Sequence, residues 1–291
     1  MKYWDTITER VPKQKVEWPD GKRLAVMVAF DYQAEVGPRF MADGKTPHMG
    51  QITEYSYGGR VGIWRILDIM DRQGFRGTFN TVGVLADLYP DSVKAIVDRG
   101  HEIAGHSYDH VAQWNLSEKD EREQIRNTVA AIKNLTGQQI KGWRCPTVQP
   151  SPNTIRLLAE EGFLWDSNFL NDDKPYMLQV DGRELVEIPY TFSTDDFPFI
   201  YGSPRYEVGG HPAVRNIPRH LFEVQKDEFD ILYKESVDDP KMFIFQTHPE
   251  VTGRAHRAKY FEMLLAHIKS HEGIWITTLS EVAEWWIKKK Y

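Results

Sequence analysis

From residue 23 to the C-terminus, short apolar runs alternate with amphipathic segments of helical period. This limits the fold more than any other feature of the chain. Residues 23–32 (RLAVMVAFDY) read as a buried strand. Residues 60–75 read as a helix, with Val61, Trp64, Ile66, Leu67 and Met70 on or near one face. Strands are expected at 77–82, 101–107, 141–146, 165–169, near 186–192 and at 241–248, and a last one at GIWITTL. Between them, Pro90 suits a first helical turn that leads to a stop at Gly100. Ser117 can cap a helix whose first turn carries Asp120 and Glu121. Further helices start at Asn153 and span 219–236 and 256–271, and one closes the chain. Repeated strand–helix units imply a parallel sheet. About seven or eight of them favour a closed or nearly closed (β/α) barrel, with an open doubly wound sheet as the alternative.

The 291 residues suit one large α/β domain or two smaller ones. No repeat, low-complexity tract or linker divides them, so a single domain is expected over 1–291, with 1–21 as a polar N-terminal arm. A net charge of -6 argues against general affinity for nucleic acid or an anionic membrane. Cys145 is the only cysteine, which excludes an intrachain disulfide and a cysteine-rich zinc site. The first residues lack the apolar core of a secretory signal, and no run approaches the ~18 apolar residues of a membrane span. A cytoplasmic protein is the expectation.

In a barrel, chemistry gathers at the C-terminal ends of strands. Reactive side chains fall there repeatedly. The first strand ends in Asp31-Tyr32-Gln33-Ala34-Glu35, and the third in His106-Ser107-Tyr108-Asp109-His110. The fourth ends in Arg144, Asp166 stands in the fifth, and a late strand ends in His248. Two imidazoles four residues apart can face one ion. Asp31, Gln33 and Glu35 alternate along a strand and can share a face. Asp31 could therefore ligate that ion or serve as a general base on water. His248 could protonate a leaving amine. Arg144 could orient the base, neutralise a developing oxyanion, or pair with Asp31. Asp166 is a candidate for orienting His248. Tyr55, Tyr57, Arg60, Asp196 and Arg254 could line a polar substrate pocket, and the long segment 33–59 is a candidate functional loop.

Taken in order, these residues resemble the polysaccharide deacetylase family (carbohydrate esterase family four) over about residues 23 to 283. The resemblance implies a distorted parallel (β/α) barrel of the polysaccharide deacetylase type. FDYQAE places Asp31 on the family's catalytic base and Gln33 where a metal-binding aspartate is expected. HSYDH places His106 and His110 on the two metal histidines. RCP supplies Arg144, WDSNFLNDDKPY supplies Asp166 and Asp173, and THPE supplies His248. A closer likeness, in YGGRVGIWRIL, EIPYTFSTDDF and HPEVTGR, is to a branch holding peptidoglycan deacetylase relatives and metal-independent allantoinases.

The implied activity is hydrolysis of a non-peptide C–N bond in a small-molecule or saccharide amide. The implied cofactor is a divalent metal, zinc first, and the implied assembly a homo-oligomer. Because Gln33 adds no charge, three arrangements stay open. Asp31 or Glu35 supplies the missing ligand, the histidines hold the metal weakly, or the reaction runs without metal. Allantoinase-like cleavage of a cyclic or ureido amide is the first alternative function, and a non-catalytic ligand-binding barrel is the second.

Overall fold

Nine strands form one curled sheet in the computed structural model, which describes residues 16–37, 49–201, 207–208, 211–212 and 217–291. They are β1 (Leu24–Tyr32), β2 (Thr78–Thr81), β3 (Glu102–Gly105), β4 (Gly142–Trp143), β5 (Trp165–Asp166), β6 (Tyr176–Val180), β7 (Arg183–Glu187), β10 (Lys241–Thr247) and β11 (Ile274–Thr277). A separate two-stranded ribbon joins β8 (Glu207–Val208) to β9 (His211–Pro212). The main order is β10-β1-β2-β3-β4-β5-β7-β6, with β11 also on β1. Every pairing in the main sheet is parallel except the β6–β7 hairpin. β10 takes one edge of β1 over Leu24–Phe30. β11 and β2 share the other, β11 along Leu24–Met27 and β2 along Ala29–Tyr32.

The curl does not close by strand pairing, because β10 and β6 lie at opposite ends of the order. Loop contacts bridge this seam. The Met242 amide donates to the Asp173 carbonyl (3.1 Å), and the Thr194 hydroxyl donates to the Ile244 carbonyl (3.3 Å). The architecture is thus a mostly parallel half-barrel, the nearly closed form of the expected fold.

Strand alternation sets where each side chain goes. Leu24, Val26, Val28, Phe30 and Tyr32 belong to the core beneath the helices, whereas Ala25, Met27 and Ala29 face the inside of the curl. Met242, Ile244, Val186, Ile188 and Trp165 meet them there. Toward the C-terminal mouth the inner positions turn polar: Asp31 follows Ala29, His106 follows Ala104, and Gln246 and His248 follow Ile244.

Three expectations need correction. Val16 and Trp18 are buried, and the Trp18 indole donates to the Lys241 carbonyl (2.8 Å), so 16–18 are packed against the barrel rather than part of a polar arm. Residues 1–15 lie outside the described residues. The segment 33–59 ends in helix α1 (Met49–Tyr57), which runs through a π-helical turn (Gly58–Gly62) into α2 (Ile63–Gln73); residues 38–48 lie outside the description. Finally, β6 and β7 form a hairpin that periodicity did not reveal. Its Asp181-Gly182 turn, with φ of 49° and 76°, is the chemistry such hairpins use.

Other helices are α3 (Leu85–Leu88), α4 (Pro90–Asp98), α5 (Glu118–Thr136), α6 (Thr154–Glu160), α7 (Asp196–Tyr201), α8 (Pro218–Glu235), α9 (Pro249–Thr252), α10 (Ala255–Lys269) and α11 (Leu279–Lys289). None of the described helices is long and apolar enough to cross a membrane. The π turn touches α9, the short helix after His248. A Cβ at Gly62 would lie 2.1 Å from the Pro249 carbonyl oxygen, so only glycine permits this approach.

Candidate active site

Asp31 is the inner-face residue at the end of β1. It is buried, and its Oδ1 accepts a hydrogen bond from Asn80 Nδ2 (2.8 Å), its register partner on β2. Its Oδ2 lies 3.7 Å from His106 Nε2 and 3.9 Å from His248 Nε2. Burial alone would push this carboxyl up. The electrostatic influence of the neighbouring His106, Arg144 and His248 side chains, with the Asn80 hydrogen bond, outweighs it and holds the group below its ordinary value. Asp31 is therefore an ionised carboxylate aimed into the mouth.

His106 leaves β3 and His110 follows a tight turn. Ser107 and His110 both have left-handed backbones (φ 64° and 60°), which bend the chain and bring the two rings to a centroid distance of 5.1 Å. His106 Nδ1 lies 2.9 Å from the Arg144 carbonyl oxygen. A carbonyl can only accept, so Nδ1 carries the proton and Nε2 faces Asp31 with its lone pair. Burial lowers both imidazoles, most strongly His110, and keeps them neutral.

His248 enters from the opposite edge of the sheet. Its Nδ1 donates to Asp196 Oδ1 (2.8 Å), and its backbone amide donates to Asp196 Oδ2 (3.0 Å). The Thr252 hydroxyl also donates to Oδ2 (2.6 Å). Asp195 lies 3.7 Å from the same Nδ1. Burial lowers His248, but these carboxylates reverse the shift and raise it to about 10. The ring is a cation near neutral pH, with its Nε2 proton directed toward Asp31.

Arg144 is fully buried on the inner face. It donates to Gln246 and to the Ser167 hydroxyl (2.6 Å), and its guanidinium carbon lies 4.2 Å from the Tyr190 ring centroid. Three neutral partners hold the side chain rigid without cancelling its charge, which acts on Asp31.

The structure brings Asp31, His106, His110, Arg144 and His248 together and places the other candidates elsewhere. Asp166 alternates with inward Trp165 and Ser167, so it faces outward and cannot orient His248. It forms a buried carboxyl pair with Glu187, its register partner on β7. The acid on His248 is Asp196, expected in the substrate pocket but fully buried. Asp173 contacts Lys241 and Met242 at the start of β10, about 20 Å of strand from His248. Tyr57 accepts from Arg65 (2.6 Å) beneath the Arg254 guanidinium, and Arg60 is exposed on the π turn. Glu35 accepts from the Tyr89 hydroxyl (2.8 Å). Gln33 donates through Nε2 to Glu250 Oε1 (3.0 Å). Asn80, Asp196, Ser167, Gln246 and Tyr190 were not identified as site residues with these contacts. Only their shared inner face, or for Asp196 its adjacency to Asp195, could have marked them.

Comparisons with known proteins cover most of the chain. The polysaccharide deacetylase family model matches residues 54–164. A solved structure from Mycobacterium smegmatis, provisionally named a polysaccharide deacetylase, superposes with a TM-score of 0.89 at 30% identity, over 97% of this chain and 96% of that one. The chain belongs to the polysaccharide deacetylase family. Another family-like structure is Puue allantoinase, with a TM-score of 0.83 and 30% identity over 96% of this chain and 95% of that chain. The peptidoglycan deacetylase of Helicobacter pylori is 29% identical over 80% of this chain and 86% of its own length.

Polysaccharide deacetylases generally use a divalent metal. The donor set here suits one: two buried neutral imidazoles, one with its outer nitrogen fixed by a carbonyl, and an ionised carboxylate 3.7 Å away. Position 33 offers only an amide oxygen, since its nitrogen is committed to Glu250. Two tighter acid–histidine clusters occur among the described residues. In one, Asp195 and Asp196 already hold His248 by hydrogen bonding. The other, Asp230 with His267 and His271, lies in the outer helical layer, where Lys226 occupies Asp230 (2.5 Å).

Proposed function

We propose that this deacetylase-family hydrolase cleaves an amide C–N bond other than a peptide bond, removing an acyl group from the nitrogen of a saccharide or related amine. The observation that carries this reading is the opposition of Asp31 and His248 across the barrel mouth, 3.9 Å apart, one ionised as a base and the other protonated as an acid. Asp31 takes a proton from the attacking water. Arg144 keeps that carboxylate charged and in place. The His248 Nε2 proton passes to the departing nitrogen, while Asp196 holds the ring and carries the compensating charge. A divalent ion held by His106, His110 and Asp31, with the Gln33 amide oxygen available, would polarise the acyl carbonyl.

The amide at position 33 and the likeness to Puue allantoinase favour a second reading, hydrolysis of a small cyclic or ureido amide. A panel of N-acetylglucosamine oligomers, peptidoglycan fragments, allantoin and hydantoins separates the two. On whichever substrate turns over, Asp31→Asn and His248→Ala should each lower kcat by roughly 10²–10⁴-fold. Full activity in either variant would remove its residue from the chemistry. Bound metal, measured in the wild type and in His106→Ala, tests the ligand assignment: metal retained by the variant would exclude His106.

A further inference from the structure

The mouth of the sheet is lined by inner-face polar groups that hold one another. Asn80 holds Asp31, the Arg144 carbonyl holds His106, Ser167 and Gln246 hold Arg144, and Asp196 holds His248. β7 adds Tyr190, three residues beyond its end and in the same inner cluster as Val186 and Ile188. The ring is fixed on two sides. The Arg144 guanidinium carbon lies 4.2 Å from its centroid, and Phe192 meets it edge-on at 5.6 Å. Tyr190 is 3% exposed, as deep as Asp31 at 5% and His248 at 6%. Its hydroxyl has no hydrogen-bond partner among the described residues.

A buried hydroxyl without a partner costs free energy, and folded proteins seldom keep one without a use. Around it, Arg144 Nε and Asn80 Oδ1 also lack a partner among the described residues, but the first belongs to a charged group and the second can only accept. The ionised Asp31 can only accept hydrogen bonds, Nη1 and Nη2 of Arg144 are directed to Gln246 and Ser167, and the free His248 proton is directed at Asp31. A neutral donor beside these groups suits an oxygen that gains negative charge during reaction.

We propose that the Tyr190 hydroxyl is a catalytic donor, hydrogen-bonding the acyl oxygen of the substrate and strengthening that bond as the oxygen becomes an oxyanion. This rests on the acyl-hydrolase reading. Burial, with Asp195 and Asp31 nearby, pushes this phenol well above its ordinary value, against the opposing effect of Arg144. It therefore remains a donor at every pH the enzyme experiences, and no proton leaves it during the step.

Tyr190→Phe removes one oxygen and leaves the ring under Arg144. On the best amide substrate, kcat should fall about 10²-fold with KM changed less than threefold, because the bond matters most in the transition state. The melting temperature should hold or rise, since no partner among the described residues is lost. An unchanged kcat would overturn the proposal. So would a melting temperature several degrees lower, which would make the hydroxyl a structural group. If the wild type turns over no amide in the panel, the hydrolase reading fails by itself, and calorimetry with acetate still tests Tyr190. At least fivefold weaker acetate binding by the variant would support the contact; equal binding, or none by the wild type, would overturn it.

Discussion

At the scale of single residues, the face of a strand decides between acids that look alike in the sequence. Asp166 and Asp196 are both fully buried. Asp166 faces outward, paired with Glu187 and accepting from Asn168, while Asp196 carries the ring and backbone of His248. Asp196→Asn should therefore lower kcat by roughly 10²–10⁴-fold, since an amide cannot hold the same imidazole tautomer and compensate its charge. Asp166→Asn should leave kcat within about fivefold, since the chemistry does not touch it. Steady-state kinetics on both variants checks this, and equal losses would make the two acids parts of one network. Spacing and strand-end position were enough to point to Asp31, His106, His110, Arg144 and His248. The remaining members of the site were illegible for a physical reason. Asn80, Ser167, Gln246 and Tyr190 are ordinary polar residues in or near strands, and only three-dimensional facing turns them into partners.

At the scale of elements, the parallel strands and their order of helices could be read because burial imposes period 2 on one and 3.6 on the other. β6 and β7 escaped because they sit at the margin of the sheet, where Arg183 and Glu184 are exposed and no continuous apolar run forms. Helix α1 escaped because Gly58 and Gly59 follow it, and glycine reads as a loop signal; the wide π turn absorbs both. That turn is also where a small change should have a large effect. Gly62→Ala would drive a methyl group into the Pro249 carbonyl oxygen. The expected outcome is about 1–3 kcal/mol of lost stability and a displaced His248, seen as a lower melting temperature and reduced kcat at temperatures where the variant remains folded. Wild-type stability in the variant would mean that α9 yields without cost.

For the whole molecule, His101 couples folding to pH. It is buried against Phe79, and its Nδ1 accepts from the Gly77 amide (3.3 Å), which requires the neutral ring. Burial chiefly, with Arg99 and Arg76, lowers it from 6.5 to about 4, although Asp71 opposes the shift. Below pH 6.5 the unfolded chain binds a proton that the folded chain refuses. This contribution is intact above 6.5 and lost toward 4, amounting to roughly 3 kcal/mol at most. Urea unfolding at pH 7 and 4.5 should show a drop about 2 kcal/mol smaller in His101→Gln than in the wild type. Identical drops would assign the acid sensitivity to other groups. The seam has a consequence of a different kind. β10 is the last strand of an open sheet, and a bare strand edge is a template on which another chain can add. Asp173 covers the Met242 amide, Thr194 covers the Ile244 carbonyl, and Asp196 covers the His248 amide. The segment that holds the proposed acid, His248, thus also covers the strand edge, and a chain that loses its hold there should be prone to self-association as well as to loss of the proposed activity.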